Sequence, residues 1–314
     1  MSRALVFPGQ GSQAVGMGRE LAEAFAIARQ TFEEVDDARG QARSRLMFEG
    51  PENELILTEN AQPALMAVSM AVMRVLTQQG GIDLKKTASM VAGHSLGEYS
   101  ALCAAGTFSL ADAARLLKRR GQAMQRAVPV GQGAMAALLG AELPVAQDIA
   151  EAAAHGEICT VANDNAPGQV VLSGNVDAVG RAIKIAAERG YKRAVKLPVS
   201  APFHCPLMAP AAEAMAEALA QVAMNAPVVP LVANVTAATV TNADIIRELL
   251  IEQVTDMVRW RESVLFMRGQ GVETLIEIGA GKVLGGLTKR IDRDLVALSV
   301  QTPAEIEELL KKIG

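Results

Sequence analysis

Ser89-Met90-Val91-Ala92-Gly93-His94-Ser95-Leu96-Gly97-Glu98-Tyr99 begins as a compact apolar run, passes through a turn of small residues, and opens a segment rich in Ala and Leu as far as Ala105. That order reads as a buried strand, a sharp turn and a helix. Within it, Gly93-His94-Ser95-Leu96-Gly97 has the GxSxG form of a nucleophile elbow, in which the serine hydroxyl stands above the carboxyl end of a strand at a helix N-terminus. The plain alternative is a tight turn whose Ser95 caps the helix.

Toward the N-terminus, Ala4 to Phe7 is a second short apolar run, ended by Pro8-Gly9. Gln62 to Gln79 and Leu110 to Met124 have helical composition or spacing. Leu231 to Ala233, Thr274 to Ile278 and Leu295 to Ser299 predict further strands, and Ile306 to Ile313 a closing helix. Strands alternating with helices predict an α/β fold around a mostly parallel sheet. The middle differs. Strands over 134–139, 158–163, 169–173 and 193–196, with helices over 144–154 and 176–189, give the order βαββαβ of a ferredoxin-like unit. The Gly/Pro-bearing stretches Val128 to Gly133 and Leu197 to Pro202 flank it as hinges. The expected organisation is a large hydrolase-like α/β domain, 1–127 and 198–314, with a small ferredoxin-like domain, 128–197, inserted into it.

Half of the 314 residues are hydrophobic, enough for a substantial core. The net charge of −4 argues against a nucleic-acid ligand. Ala64 to Leu76 is too short to cross a bilayer, and the apolar run at the N-terminus is too short for a signal peptide. Cys103, Cys159 and Cys205 contain no CxxC pair, so neither a disulfide framework nor a zinc knuckle is expected. These features predict a soluble cytoplasmic protein.

A serine nucleophile needs a base, and the chain has three histidines, His94, His155 and His204. His94 adjoins Ser95, which suits a structural role, and His155 lies in a polar stretch that reads as a solvated helix end. His204 sits in Ser200-Ala201-Pro202-Phe203-His204-Cys205-Pro206, where two prolines fix the backbone around one imidazole. It reads equally as a base or as the start of the following helix. Cys205 is a poor rival nucleophile and fits a buried thiol better. Phe7-Pro8-Gly9-Gln10-Gly11-Ser12-Gln13 lacks the glycines and lysine of a nucleotide loop, but its backbone can bring an amide such as that of Gln10 close to a reacting centre. Lys118-Arg119-Arg120 is a solvated face or the source of one guanidinium that clamps a carboxylate; periodicity does not choose between the arginines.

Together these residues resemble the malonyl-CoA:acyl-carrier-protein transacylases. The resemblance spans nearly the whole chain. It rests on the Phe7–Gln13 loop, Gln62-Pro63-Ala64-Leu65, Gly93 to Tyr99, Arg120-Gly121, Asn163, Pro167-Gly168-Gln169-Val170-Val171, Phe203-His204, and Gly281-Lys282-Val283-Leu284. It implies that Ser95 is acylated by malonyl-CoA, that His204 is its base, and that Arg120 pairs with the malonyl carboxylate. It also implies an oxyanion hole from the backbone N–H groups of Gln10 and Leu96, substrate contacts from Gln62, Asn163 and Phe203, and a Gln253 carbonyl that orients His204. Phe203 is similar to the malonyl-selecting form, whereas methylmalonyl-transferring relatives tend to carry Ser there. One departure is Gly279-Ala280-Gly281, where the family more often has Gly-Pro-Gly. The expected partners are malonyl-CoA and an acyl carrier protein, with CoA thioester as substrate, no cofactor, no metal and a monomeric chain. The rival readings are a serine thioesterase or hydrolase, a non-catalytic carrier scaffold, a malonate decarboxylase subunit, and an acyltransferase serving polyketide synthesis.

Overall fold

The structure is a computed structural model that describes residues 2–40 and 44–313. Among the described residues, ten strands form two sheets. β1 (Ser2–Phe7), β2 (Met90–Gly93), β7 (Leu231–Val232), β8 (Thr239–Val240), β9 (Val272–Ile278) and β10 (Val296–Val300) form a six-stranded sheet of order β10-β9-β1-β2-β7-β8. Every pairing in it is parallel except β7 with β8. Ala4–Phe7 and Met90–Gly93 are buried on both faces, as central parallel strands require, which is why they read as continuous apolar runs.

The chain leaves β1, β2, β7 and β9 at the same edge of this sheet. The loop 8–13, the turn at Ser95, Asn234 and the Gly279–Gly281 turn therefore gather at the carboxyl ends of the strands, where ligands bind open α/β sheets. Around the sheet pack the helices Thr58–Arg74, Leu96–Ala104 and Leu110–Ala127, which share its core with Phe7, Val91 and Ile276. The first of these starts a turn before Gln62, at Thr58, and runs on through a π-helical turn at Val75–Gln79.

β3 (Gly133–Leu139), β4 (Cys159–Ala166), β5 (Gln169–Asn175) and β6 (Arg193–Lys196) form the second sheet, antiparallel throughout and of order β4-β5-β3-β6. With the helices Leu143–Ala154 and Val176–Glu188 this is the ferredoxin-like arrangement, so the predicted fold class is borne out. Strand alternation divides its faces. Ala134, Ala136 and Leu138 pack on the two helices, while Met135 and Val171 join the core of the parallel sheet. β4 is also tied by backbone to the segment that precedes the helix Trp260–Gly269: Asp164 N–H donates to Val258 O at 3.0 Å, and Val258 N–H donates to Ala162 O at 2.9 Å.

The helix Ala26–Arg39 was not anticipated, whereas helices stand between the later strands as expected, at Ala243–Glu252, Trp260–Gly269 and Val283–Ile291. Among the described residues no helix is long and apolar enough to cross a membrane.

Candidate active site

The turn between β2 and the helix Leu96–Ala104 is possible only because its flanking residues are glycines. A Cβ on Gly93 would lie 1.9 Å from the Gly97 backbone, and one on Gly97 would lie 2.2 Å from Phe7 O. Ser95 itself takes φ 53° and ψ −110°, a conformation that L-residues avoid and that marks an elbow. Its side chain does not cap the helix. It faces a cleft of about 520 Å³ between the two sheets, lined by Gln10, Leu96, Met135, Asn163, Phe203 and His204 among others.

Ser95 Oγ lies 2.8 Å from His204 Nε2. The other ring nitrogen, Nδ1, is 2.8 Å from Gln253 O. A carbonyl only accepts, so Nδ1 carries the proton and Nε2 is left to accept the Ser95 hydroxyl. His204 is 4% exposed, and burial with the Arg120 charge beside it pushes the imidazole down to about 3, so it is a neutral base at ordinary pH. No carboxylate stands behind it: the group orienting the imidazole is a backbone carbonyl.

The structure chooses among the basic residues of the Leu110–Ala127 helix. Arg119 points outward to Glu217 at 3.1 Å. Arg120 is 1% exposed and turns inward. Its Nη2 donates to Ser95 Oγ at 3.1 Å and to Gln253 Oε1 at 2.9 Å, and its Nη1 donates to Gln62 Oε1 at 2.8 Å. Among the described residues Nε has no hydrogen-bond partner. A buried cation against the nucleophile, with donors to spare and only neutral side chains as hydrogen-bond acceptors, is built to receive an anion.

The remaining predicted residues converge on the same cleft. Gln62 is held by Thr58 Oγ, to which its Nε2 donates at 2.8 Å. Gln10 Oε1 accepts from the same hydroxyl at 2.9 Å, which ties the loop after β1 to the helix bearing Gln62. Asn163 and Phe203 line the same cleft. Leu96 opens the helix after Ser95, so its N–H is among those with no partner inside the helix.

The three cysteines are buried and free. Cys205 donates to Pro202 O at 3.1 Å and burial raises its thiol pKa, so it is no rival to Ser95. His155 is an exposed helix end, and His94 Nε2 donates to Asn165 Oδ1 at 2.8 Å.

Two residues of the site escape a reading of the sequence. Asn234 Oδ1 accepts from Ser95 N–H at 2.8 Å while its Nδ2 donates to Gly93 O at 2.7 Å. Glu98 is buried beneath them and its Oε2 accepts from Asn234 N–H at 3.0 Å. The one available signal for Asn234 is its place just after a strand of the parallel sheet.

The family model described as "acyl transferase domain" matches residues 4–292. The chain is 48% identical over 308 residues to the malonyl CoA-acyl carrier protein transacylase of Escherichia coli K12, covering 98% of each. It superposes with a TM-score of 0.98 on the acyl-carrier-protein-S-malonyltransferase of Bartonella henselae, at 55% identity and full coverage of both chains. A type II polyketide synthase acyl-carrier protein in complex with its malonyl-transacylase gives a TM-score of 0.96 at 44% identity, covering 99% of this chain and 100% of that one.

Proposed function

The chain belongs to the acyl transferase domain family, and from that membership we propose that it carries malonyl from malonyl-CoA to the phosphopantetheine thiol of an acyl carrier protein. The observation that carries the assignment of the site is Arg120, a buried guanidinium 3.1 Å from the hydroxyl of a serine paired with histidine.

Ser95 attacks the thioester carbonyl as its proton passes to His204 Nε2. The tetrahedral oxyanion is received by the backbone N–H groups of Gln10 and Leu96. Collapse breaks the C–S bond, and the departing CoA sulfur takes the proton back from His204. In the second half the carrier's thiol gives its proton to His204, attacks the O-malonyl ester, and leaves as the new thioester while Ser95 regains its hydrogen. Arg120 holds the malonyl carboxylate, with Gln62 and Gln253 fixing the guanidinium plane, and the Phe203 ring closes the space that an α-substituent would need.

Mixing with malonyl-CoA should leave a malonyl adduct on Ser95, seen by mass spectrometry and absent from Ser95→Ala. Arg120→Ala should lose malonyl transfer and accept acetyl-CoA better; unchanged malonyl selectivity would overturn the role of Arg120. A thioesterase would release free malonate from the adduct faster than the carrier accepts it. We place the reaction in fatty acid synthesis, by a cytoplasmic monomer. The structural likeness to a transacylase complexed with a type II polyketide carrier favours polyketide supply as the second reading. Transfer to purified carriers of each kind separates the two.

A further inference from the structure

Ser95 is held in its unfavourable conformation through both of its peptide groups. Its N–H donates to Asn234 Oδ1. Its C=O accepts from Glu98 N–H at 3.0 Å and from Gln253 Nε2 at 3.1 Å. The Gln253 carboxamide is itself fixed from two sides: Nε2 donates to Glu98 Oε2 at 2.9 Å, and Oε1 accepts from Arg120 Nη2. Gln253 is fully buried and Glu98 is 1% exposed, so water does not compete for these bonds.

In a planar trans peptide the C=O and the following N–H point in opposite directions. Anchoring the Ser95 carbonyl on the side of Gln253 therefore turns the Leu96 N–H to the other side. We propose that the Gln253 carboxamide and the Glu98 carboxyl form a positioning pair that locks the Ser95–Leu96 peptide with its N–H aimed at the developing oxyanion. This rests on the reading of Leu96 N–H as an oxyanion donor. It is separate from the role of the Gln253 backbone carbonyl, which orients His204. One glutamine thus sets the base through its main chain and the oxyanion donor through its side chain.

The pair touches no reacting atom, so its loss should appear in kcat and not in KM. Glu98→Ala leaves the Arg120–Gln253 contact in place and frees the carboxamide nitrogen. It should lower kcat for malonyl transfer roughly 10- to 100-fold, a part of what removing one oxyanion donor costs, with KM for malonyl-CoA changed less than about threefold. Glu98→Gln keeps an acceptor oxygen for Gln253 Nε2 and Asn234 N–H, and should recover most of that loss. Gln253→Met, which retains the backbone carbonyl facing His204 but also gives up the contact with Arg120, should lower kcat at least as far as Glu98→Ala does.

Native kcat in folded Glu98→Ala, or a loss confined to KM, overturns the pair. So does failure of both Glu98→Ala and Gln253→Met to fold, because the residues would then be holding the fold and not the peptide. If only one folds, its kcat decides. A native enzyme that forms no malonyl adduct on Ser95 would instead sink the transferase reading on which the pair depends.

Discussion

The acylation step should be insensitive to acid over a range where a histidine base ordinarily fails. His204 is buried between Gln253 O and Ser95 Oγ, with the Arg120 charge and the His94 ring nearby, and its imidazole is pushed from an ordinary 6.5 down to about 3. That difference corresponds to about 5 kcal/mol against protonation. At pH 5.5 an ordinary histidine would be about nine-tenths protonated and its rate about tenfold down, whereas His204 stays neutral. The assay is rapid-quench measurement of malonyl-Ser95 formation at saturating malonyl-CoA from pH 8 to pH 5, with the malonyl carboxylate ionised throughout. The expected profile is flat to within about twofold. Glu98, pushed up to about 7 by burial, also titrates in this range, but its two partners need only an oxygen acceptor, which the protonated carboxyl keeps. A fall with its midpoint near pH 6.5, reaching about tenfold by pH 5.5 and persisting in Glu98→Gln, would refute the reasoning.

Glu98 has its own signature in stability. Its folded pKa of about 7 lies above the unfolded 4.5, so between those values the folded chain keeps a proton that the unfolded chain has lost, and its contribution falls as pH rises. Glu98→Gln should match the native protein near pH 4.5 and exceed it by about 3 kcal/mol at pH 8 in urea unfolding; an unchanged gap across that range would contradict this. Gly97→Ala places a Cβ 2.2 Å from Phe7 O, so the elbow and the loop after β1 must separate. Malonyl transfer should fall more than about 100-fold, with a lower melting temperature, and a near-native adduct rate would show that the turn can relax.

The parts legible in the sequence are those in which local pattern and burial agree. Ala4–Phe7 and Met90–Gly93 read as buried strands because both of their faces are covered, and the βαββαβ order of the middle followed from alternating apolar runs and turn residues. Short elements such as Arg19–Ala24 and Glu52–Leu55 have too few turns to show a period. In the site, Ser95 and His204 stood out as candidates from the residues themselves. Arg120 could not be told from Arg119, because adjacent helix positions differ only in which face the tertiary packing covers. Gln62, Asn163, Phe203 and Gln253 came only through resemblance. Asn234 is 139 positions from Ser95, and it reaches the elbow only because β2 and β7 are neighbours in the sheet.

The carbonyl behind His204 has a consequence for the bonds this site can exchange. Without an anion to stabilise it, the imidazolium formed during attack is a fleeting species and must give up its proton at once. That suits a sulfur leaving group, which departs readily as thiolate, and suits an amine poorly. The acyl donor and the acylated product of the proposed reaction are thioesters of the same pantetheine arm, so the forward and return barriers are closely matched. The site is then a reversible exchanger, and the direction of flow is set by the relative concentrations of acylated CoA and acylated carrier.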